Sequence, residues 1–157
     1  MSGAGAPKFE LRDMGEVRVA IIASSWHDVV MDGLIANAVE TCDAAGADVT
    51  VVRVPGSFEL GVAAMRAAKT GFHAIVALGV IIRGGTPHFE FVASATTDAL
   101  NRVALDTGVP VGFGLLTCDD EAQALDRAGL AHSSENKGRE AAEAALVMVR
   151  TMRSLGW

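Results

Sequence analysis

Four apolar runs, each followed by a stretch whose apolar residues recur every three or four positions, with glycine or proline at the junctions, predict an α/β chain. Continuous apolar strands suit a sheet covered on both faces, and strand–helix alternation demands parallel strands joined by right-handed crossovers. The predicted fold is a flavodoxin-like three-layer αβα sandwich with a four-stranded parallel sheet, in the order βαβαβαβαα. At 157 residues the chain is read as one domain over 17–157, preceded by an N-terminal arm over 1–16.

The arm is small and polar apart from Phe9 and Leu11, so it is ordered only where it docks, and it can add a strand to a neighbouring subunit's sheet edge. RVAIIA, residues 18–23, is the first strand. Met31, Ile35, Ala38, Cys42 and Ala45 then step by four and three along a helix that Gly46 stops. DVTVVRV, 48–54, is the second strand, broken by Pro55-Gly56; Phe58, Val62 and Met65 share one face of a short helix ending near Gly71. AIVALGVII, 74–82, is the most apolar run and the candidate central strand. Phe91, Val92, Ala95, Ala99 and Val103 mark a long helix closed near Gly108. The fourth strand is placed at 110–116, with Pro110 at its first position, where a missing donor is tolerated. Asp119 or Asp120 caps a helix over 121–128, and a last helix carries Ala141, Ala145, Met148, Met152 and Leu155.

Composition excludes several functions. A net charge of -6 opposes phosphate backbones and anionic lipid, and 5% aromatics with no tyrosine leave few stacking platforms, so no nucleic-acid partner is expected. No apolar run is long enough to span a bilayer, and the first residues lack a signal-like core, so a cytoplasmic protein is expected, with no membrane association. Cys42 and Cys118 stand at no metal-ligand spacing and read as reduced thiols. No metal and no cofactor are expected.

In this architecture the strand-to-helix loops open at the carboxyl edge of the sheet, where ligands bind. Those loops are SSWHD, PGSFE, RGGTPH and TCDDE. Gly84-Gly85-Thr86 offers backbone N–H groups ahead of a helix N-terminus, a setting for an anion; glycine used for positive φ in a turn is the alternative. His88 stands beside that loop and can move a proton, or simply be solvated. Trp26 can stack on a flat ring or pack over the sheet edge. Glu59 can accept from ligand hydroxyls or complement a helix N-terminus, and Arg127 has an ordinary place near a helix C-terminus. Lys137 does not: a cation at a helix start is unfavourable, and a nearby anion would explain it.

At SSWH, PGSFEL, GVIIRGGTPHFEFV, DRAG and NKG the chain resembles the lumazine synthase family, from about residue 17 to 152. The resemblance implies the three-layer sandwich and a homo-oligomer built of pentamers, with the active site shared between adjacent subunits. It implies two small-molecule substrates: 5-amino-6-ribitylamino-2,4-pyrimidinedione and 3,4-dihydroxy-2-butanone 4-phosphate condense to 6,7-dimethyl-8-ribityllumazine, phosphate and water. By position, Trp26 corresponds to the aromatic that stacks on the pyrimidinedione. Ser57, Phe58 and Glu59 correspond to the ribityl-binding segment, and Val80, Ile81 and Ile82 to the strand end beneath the ring. Gly85, Thr86 and Arg127 match the phosphate site, and His88 the proton-transfer residue. Phe113, Lys137 and Arg127 match positions presented from the adjacent subunit. The 130–135 linker looks longer than in shell-forming relatives, which leans toward a free pentamer or paired pentamers.

The chemistry fits these residues. The amine is a nucleophile, the ketone an electrophile and phosphate a leaving group, so holding the pair together supplies much of the rate. A non-catalytic flavin- or lumazine-binding module, or a shell protein, would explain Trp26 and the glycine loop but give no work to His88 or Lys137. A signalling receiver needs an acidic cluster after the first strand and an aspartate after the third, where this chain has Ala23-Ser24-Ser25 and Ile81-Ile82-Arg83.

Overall fold

The computed structural model describes residue 7 and residues 9–156. Residues 1–6 and 8 of the expected arm, and Trp157, lie outside the described residues. Four strands form the sheet: β1 (Arg18–Ser24), β2 (Asp48–Val54), β3 (Ala74–Ile82) and β4 (Val111–Cys118). Five helices accompany them: α1 (Asp28–Ala45), α2 (Leu60–Ala68, preceded by a 3-10 turn at Ser57–Glu59), α3 (His88–Thr107), α4 (Glu121–Leu125) and α5 (Lys137–Ser154).

The sheet runs β2-β1-β3-β4 and every pairing is parallel. One apolar core lies between the sheet and α1, α4 and α5, holding Val19, Ile21, Met31, Leu34, Leu78 and Leu146. The other lies beneath α2 and α3, around Ile22, Leu60, Ile75, Leu100 and Leu115. These are the three layers of a flavodoxin-like α/β sandwich. Because the chain crosses β1 between β2 and β3, the carboxyl ends of β1 and β3 flank the switch point at which such folds bind ligands.

Several boundaries and faces differ from the sequence reading. The fourth strand runs from Val111 through Cys118 rather than over 110–116, since its ladder with β3 continues to the Ile82–Cys118 pair. The helix expected over 121–128 stops at Leu125: its cap is Asp120, which accepts from the Gln123 N–H at 2.8 Å, and the chain then turns so that Ala128 bridges Asn136. On α2 the buried residues are Leu60, Gly61, Ala64 and Ala67, while Phe58 and Val62 are exposed. On α3 the buried row is Thr96, Leu100 and Val103, and Phe91 is exposed. On α5 it is Gly138, Ala141, Ala142, Ala145, Leu146 and Val149, with Met148 and Leu155 outside.

Close backbone approach explains the rotation of α5. A Cβ on Gly138 would stand 2.2 Å from the Leu34 carbonyl oxygen of α1, and one on Gly112 of β4 would stand 2.0 Å from the Ala141 carbonyl oxygen of α5. Two glycines thus let α5 lie flush on both neighbours, and their positions set which side of it faces inward. Gly112→Ala pushes a methyl group into backbone that cannot swing away. The expected cost is about 1–3 kcal/mol or more. For a chain of this size that corresponds to a thermal midpoint lower by roughly 2–12 °C, read by calorimetry at fixed protein concentration.

The described part of the arm docks on its own domain. Met14 is buried, its N–H donates to the Ala45 carbonyl at 3.0 Å, and the Glu10 carbonyl accepts from Arg150 at 3.0 Å. The β2 edge carries Val51 and Val52, both exposed. The two cysteines are free and buried, and burial, helped by Asp43, pushes the Cys42 thiol up to about 12, so it serves as a small apolar side chain.

Candidate active site at the carboxyl edge

Four loops leave the carboxyl ends of the strands, and the first two meet over β1 and β2. Ser25 donates to the Val54 carbonyl at 2.8 Å, tying the loop after β1 to the end of β2. His27 then takes a left-handed backbone, φ 61 and ψ 65, at the start of α1, an uncommon conformation for a residue with a side chain. This turn leaves the neighbouring Trp26 65% exposed. A Cβ on Gly56 would lie 3.1 Å from Glu59 Oε2 and 3.7 Å from Trp26 Nε1, so the indole and the carboxylate line one recess, with glycine leaving the space between them.

The 57–59 segment divides its work. Ser57 is buried, and its hydroxyl donates to the Val80 carbonyl at 3.4 Å, while its own carbonyl accepts from Thr96 Oγ1 at 3.3 Å. The Ser57 side chain is therefore turned into the core, and Phe58 and Glu59 are what the segment presents outward: Phe58 is exposed and Glu59 half-buried. Thr96, in mid-helix on α3, has no signal in the sequence that marks it as the brace of this turn. The end of β3 lies alongside, with Val80 buried and Ile81 and Ile82 half-buried.

The third loop carries the anion candidates. Gly84, Gly85, Thr86, Pro87 and His88 are all exposed. Neither Gly84 nor Gly85 adopts positive φ, and a Cβ on either would meet nothing within 4 Å. The alternative reading, glycine used for a left-handed turn, therefore has no support here. Neither φ nor space within the chain requires these glycines, and without side chains they leave the loop's backbone open to approach from outside. His88 opens α3 directly after the loop.

Arg83 closes this loop at its base. Its Nε donates to Asp119 Oδ1 at 2.9 Å, Nη1 bonds Glu90 Oε1, and the guanidinium lies 4.2 Å from the Phe89 ring centroid. Hydrogen bonds from Arg83 hold both carboxyl groups below the ordinary carboxylate range, so the contacts persist at neutral pH and are lost only as pH falls through those lowered values.

The remaining candidates come from β4 and the segment that follows it. Arg127 and Lys137 are stapled together: the Lys137 N–H donates to the Arg127 carbonyl at 3.0 Å, and Glu135 N–H to the Asp126 carbonyl at 3.0 Å. The staple packs on α1, where Asn37 bonds both Gly129 and Asn136, so it belongs to the layer opposite the one that α3 covers. Arg127 Nη1 donates to the Gln123 carbonyl at 2.9 Å, the dipole-complementing contact expected of a cation past a helix end. Lys137 answers its own puzzle: Nζ lies 2.5 Å from Glu135 and 2.8 Å from Glu140, so the compensating anions are carboxylates of the same chain. Burial alone would lower the ammonium's pKa, but those two carboxylates outweigh it and the net direction is up. Phe113, on the outer strand β4, is 48% exposed. One chain thus brings Trp26, Phe58, Glu59, the β3 end, Gly85, Thr86 and His88 to a single edge, while Arg127 and Lys137 are engaged by the carbonyl and carboxylates just described. Arg83, His27 and Glu135 were not among the expected site residues; the unfavourably placed Lys137 was the one signal that could have led to Glu135.

The family model described as 6,7-dimethyl-8-ribityllumazine synthase matches residues 16–153. The chain is 60% identical over 156 residues to the protein of that name from Leifsonia xyli subsp. xyli, covering 99% of this chain and 99% of that one. It is 57% identical over 156 residues to the protein of that name from Streptomyces coelicolor, covering 99% and 97% respectively. For Kineococcus radiotolerans the identity is 56% over 156 residues, with 99% and 96% covered.

Proposed function

The chain belongs to the 6,7-dimethyl-8-ribityllumazine synthase family, and on that premise we propose that it catalyses the condensation for which its relatives are named. It joins 5-amino-6-ribitylamino-2,4-pyrimidinedione to 3,4-dihydroxy-2-butanone 4-phosphate and releases phosphate, water and 6,7-dimethyl-8-ribityllumazine, the lumazine-forming step of riboflavin biosynthesis. The observation that carries this reading at the site is the Gly84-Gly85 pair, exposed and without an intrachain reason for glycine, immediately ahead of Thr86 and His88.

In this reading Trp26 stacks on the pyrimidinedione, Phe58 and Glu59 hold the ribityl chain, and Val80, Ile81 and Ile82 floor the ring. Ser57 contributes by fixing the turn, because its hydroxyl is committed to Val80. The Gly85 and Thr86 amides and Arg127 take the phosphate. His88 moves protons during imine formation and phosphate elimination. No proton transfer has to wait on a tightly buried base, since the imidazole is exposed and able to exchange with solvent.

The active site is completed by an adjacent copy of the chain. Arg127, Lys137 and Phe113 supply this neighbour's contribution. The exposed Phe58, Val62 and Phe91, together with the open valine-bearing edge of β2, offer apolar and strand-pairing surface for such copies, the latter able to accept a neighbour's arm. We read a cytoplasmic homo-oligomer of pentamers, with arm 1–16 and domain 17–157; among the described residues no helix is long and apolar enough to cross a membrane.

Mixing the protein with both substrates tests the proposal. Lumazine absorbance should rise with one phosphate released per product, and light scattering should return a mass divisible by five chains. Binding of product without turnover would favour a carrier instead. A stable monomer working at full rate would overturn the shared site.

A further inference from the structure

We propose that Arg83 is a positioning residue for the phosphate substrate, acting by clasping the base of the 84–87 loop; this rests on the phosphate reading of that loop. Its backbone N–H donates to the Cys118 carbonyl at 2.9 Å, which pins it to the end of β4. Its side chain then reaches Asp119 beyond β4 and Glu90 in the first turn of α3, and stacks on Phe89. One guanidinium therefore joins the ends of two strands to the helix that begins with His88, and the contact to Glu90 closes the loop into a ring.

Global stability does not account for this arrangement. The three side chains are 45%, 55% and 66% exposed, a setting in which ion pairs contribute about 0–1 kcal/mol. The loop's two glycines, by contrast, bring no side chain to pack it onto its surroundings, and a Cβ at either would meet nothing within 4 Å. A flexible anion-binding loop must be ordered when the anion arrives, and a clasp that orders it beforehand removes that cost. The planar fork serves two carboxylates in different directions while stacking on a ring, which an ammonium cannot reproduce. Arg83 also offsets one of the two negative charges on Glu90 and Asp119, which would otherwise both repel a phosphate.

The test uses the assembled enzyme and titrates inorganic phosphate calorimetrically alongside both KM values. Arg83→Ala should weaken phosphate binding and raise KM for the butanone phosphate about tenfold, with KM for the pyrimidinedione changed by less than about twofold. Arg83→Lys keeps the charge and should recover only part of the loss; it also serves if Arg83→Ala does not assemble. Unchanged phosphate affinity in Arg83→Ala, equal rises in both KM values, or full recovery in Arg83→Lys would each overturn the clasp. Arg127→Ala separates the two levels. If it weakens phosphate binding and Arg83→Ala does not, the clasp alone fails; if neither weakens it, the phosphate site itself is misplaced.

Discussion

Arg127→Ala should raise the apparent KM for the butanone phosphate by about tenfold to a hundredfold, while KM for the pyrimidinedione moves by less than about threefold. The magnitude follows from charge-assisted hydrogen bonds to phosphate, each contributing about 1.5–3 kcal/mol net. It sits below the sum of two such bonds for a structural reason. In the free chain the guanidinium already donates to the Gln123 carbonyl and lies 3.7 Å from Glu135, and phosphate must draw it from the latter. Because KM equals a dissociation constant only when chemistry is slow relative to release, direct titration with inorganic phosphate should accompany the kinetics. Equal effects on both substrates would count against the assignment. A mixing experiment sharpens it: chains carrying Arg127→Ala, co-assembled with chains carrying His88→Ala, should recover some sites with both residues intact if Arg127 serves a neighbour. If the two residues act within one chain, no such site can form.

His88→Ala should lower kcat by about 10²–10⁴, the range that a positioned acid–base group supplies, without reducing the rate to that of the substrates in solution. The residual rate reflects the chemistry of the pair, which needs no enzyme-derived nucleophile and gains chiefly from being held together. Well-oriented reactants reach effective molarities of about 10⁵–10⁸ M, and that contribution survives loss of the imidazole. Steady-state kinetics with saturating substrates checks both halves. Complete loss with intact binding would mean that proton transfer carries more of the barrier than proximity does. A change below about threefold would remove His88 from the chemistry.

The order of strands and helices was legible because buried parallel strands are long apolar runs, and 48–54 and 74–82 fall on β2 and β3 as the structure has them. The carboxyl-edge loops follow from that order, and with them the placing of Trp26, Glu59, Gly85, Thr86 and His88 at one edge. The helix faces were less legible. Phe58, Val62 and Phe91 have the right spacing yet are exposed; on α2 Leu60, Gly61, Ala64 and Ala67 pack inward with Met65 partly buried against the same core, and on α3 Thr96 and Leu100 join the expected Val103. Periodicity in large apolar residues finds a helix, but it does not say which side turns inward when other surfaces also need apolar groups.

Arg83, Ser57 and Lys137 show the same division at the level of single residues. Nothing local to Arg83 distinguishes it from any loop cation, since Asp119 is 36 positions away and meets it only after β4 pairs with β3. Lys137 looked misplaced because its neighbours in space were unknown. Residue pattern by itself determined the sheet, its parallel sense and the edge at which ligands meet it, because these depend on apolar burial repeated along the chain. The inward face of α1 was also legible, but tertiary structure alone decided the roll of α2, α3 and α5, the inward turn of Ser57 and the partners of the charged groups. Those depend on backbones approaching within a methyl group's width and on charges brought together from distant segments.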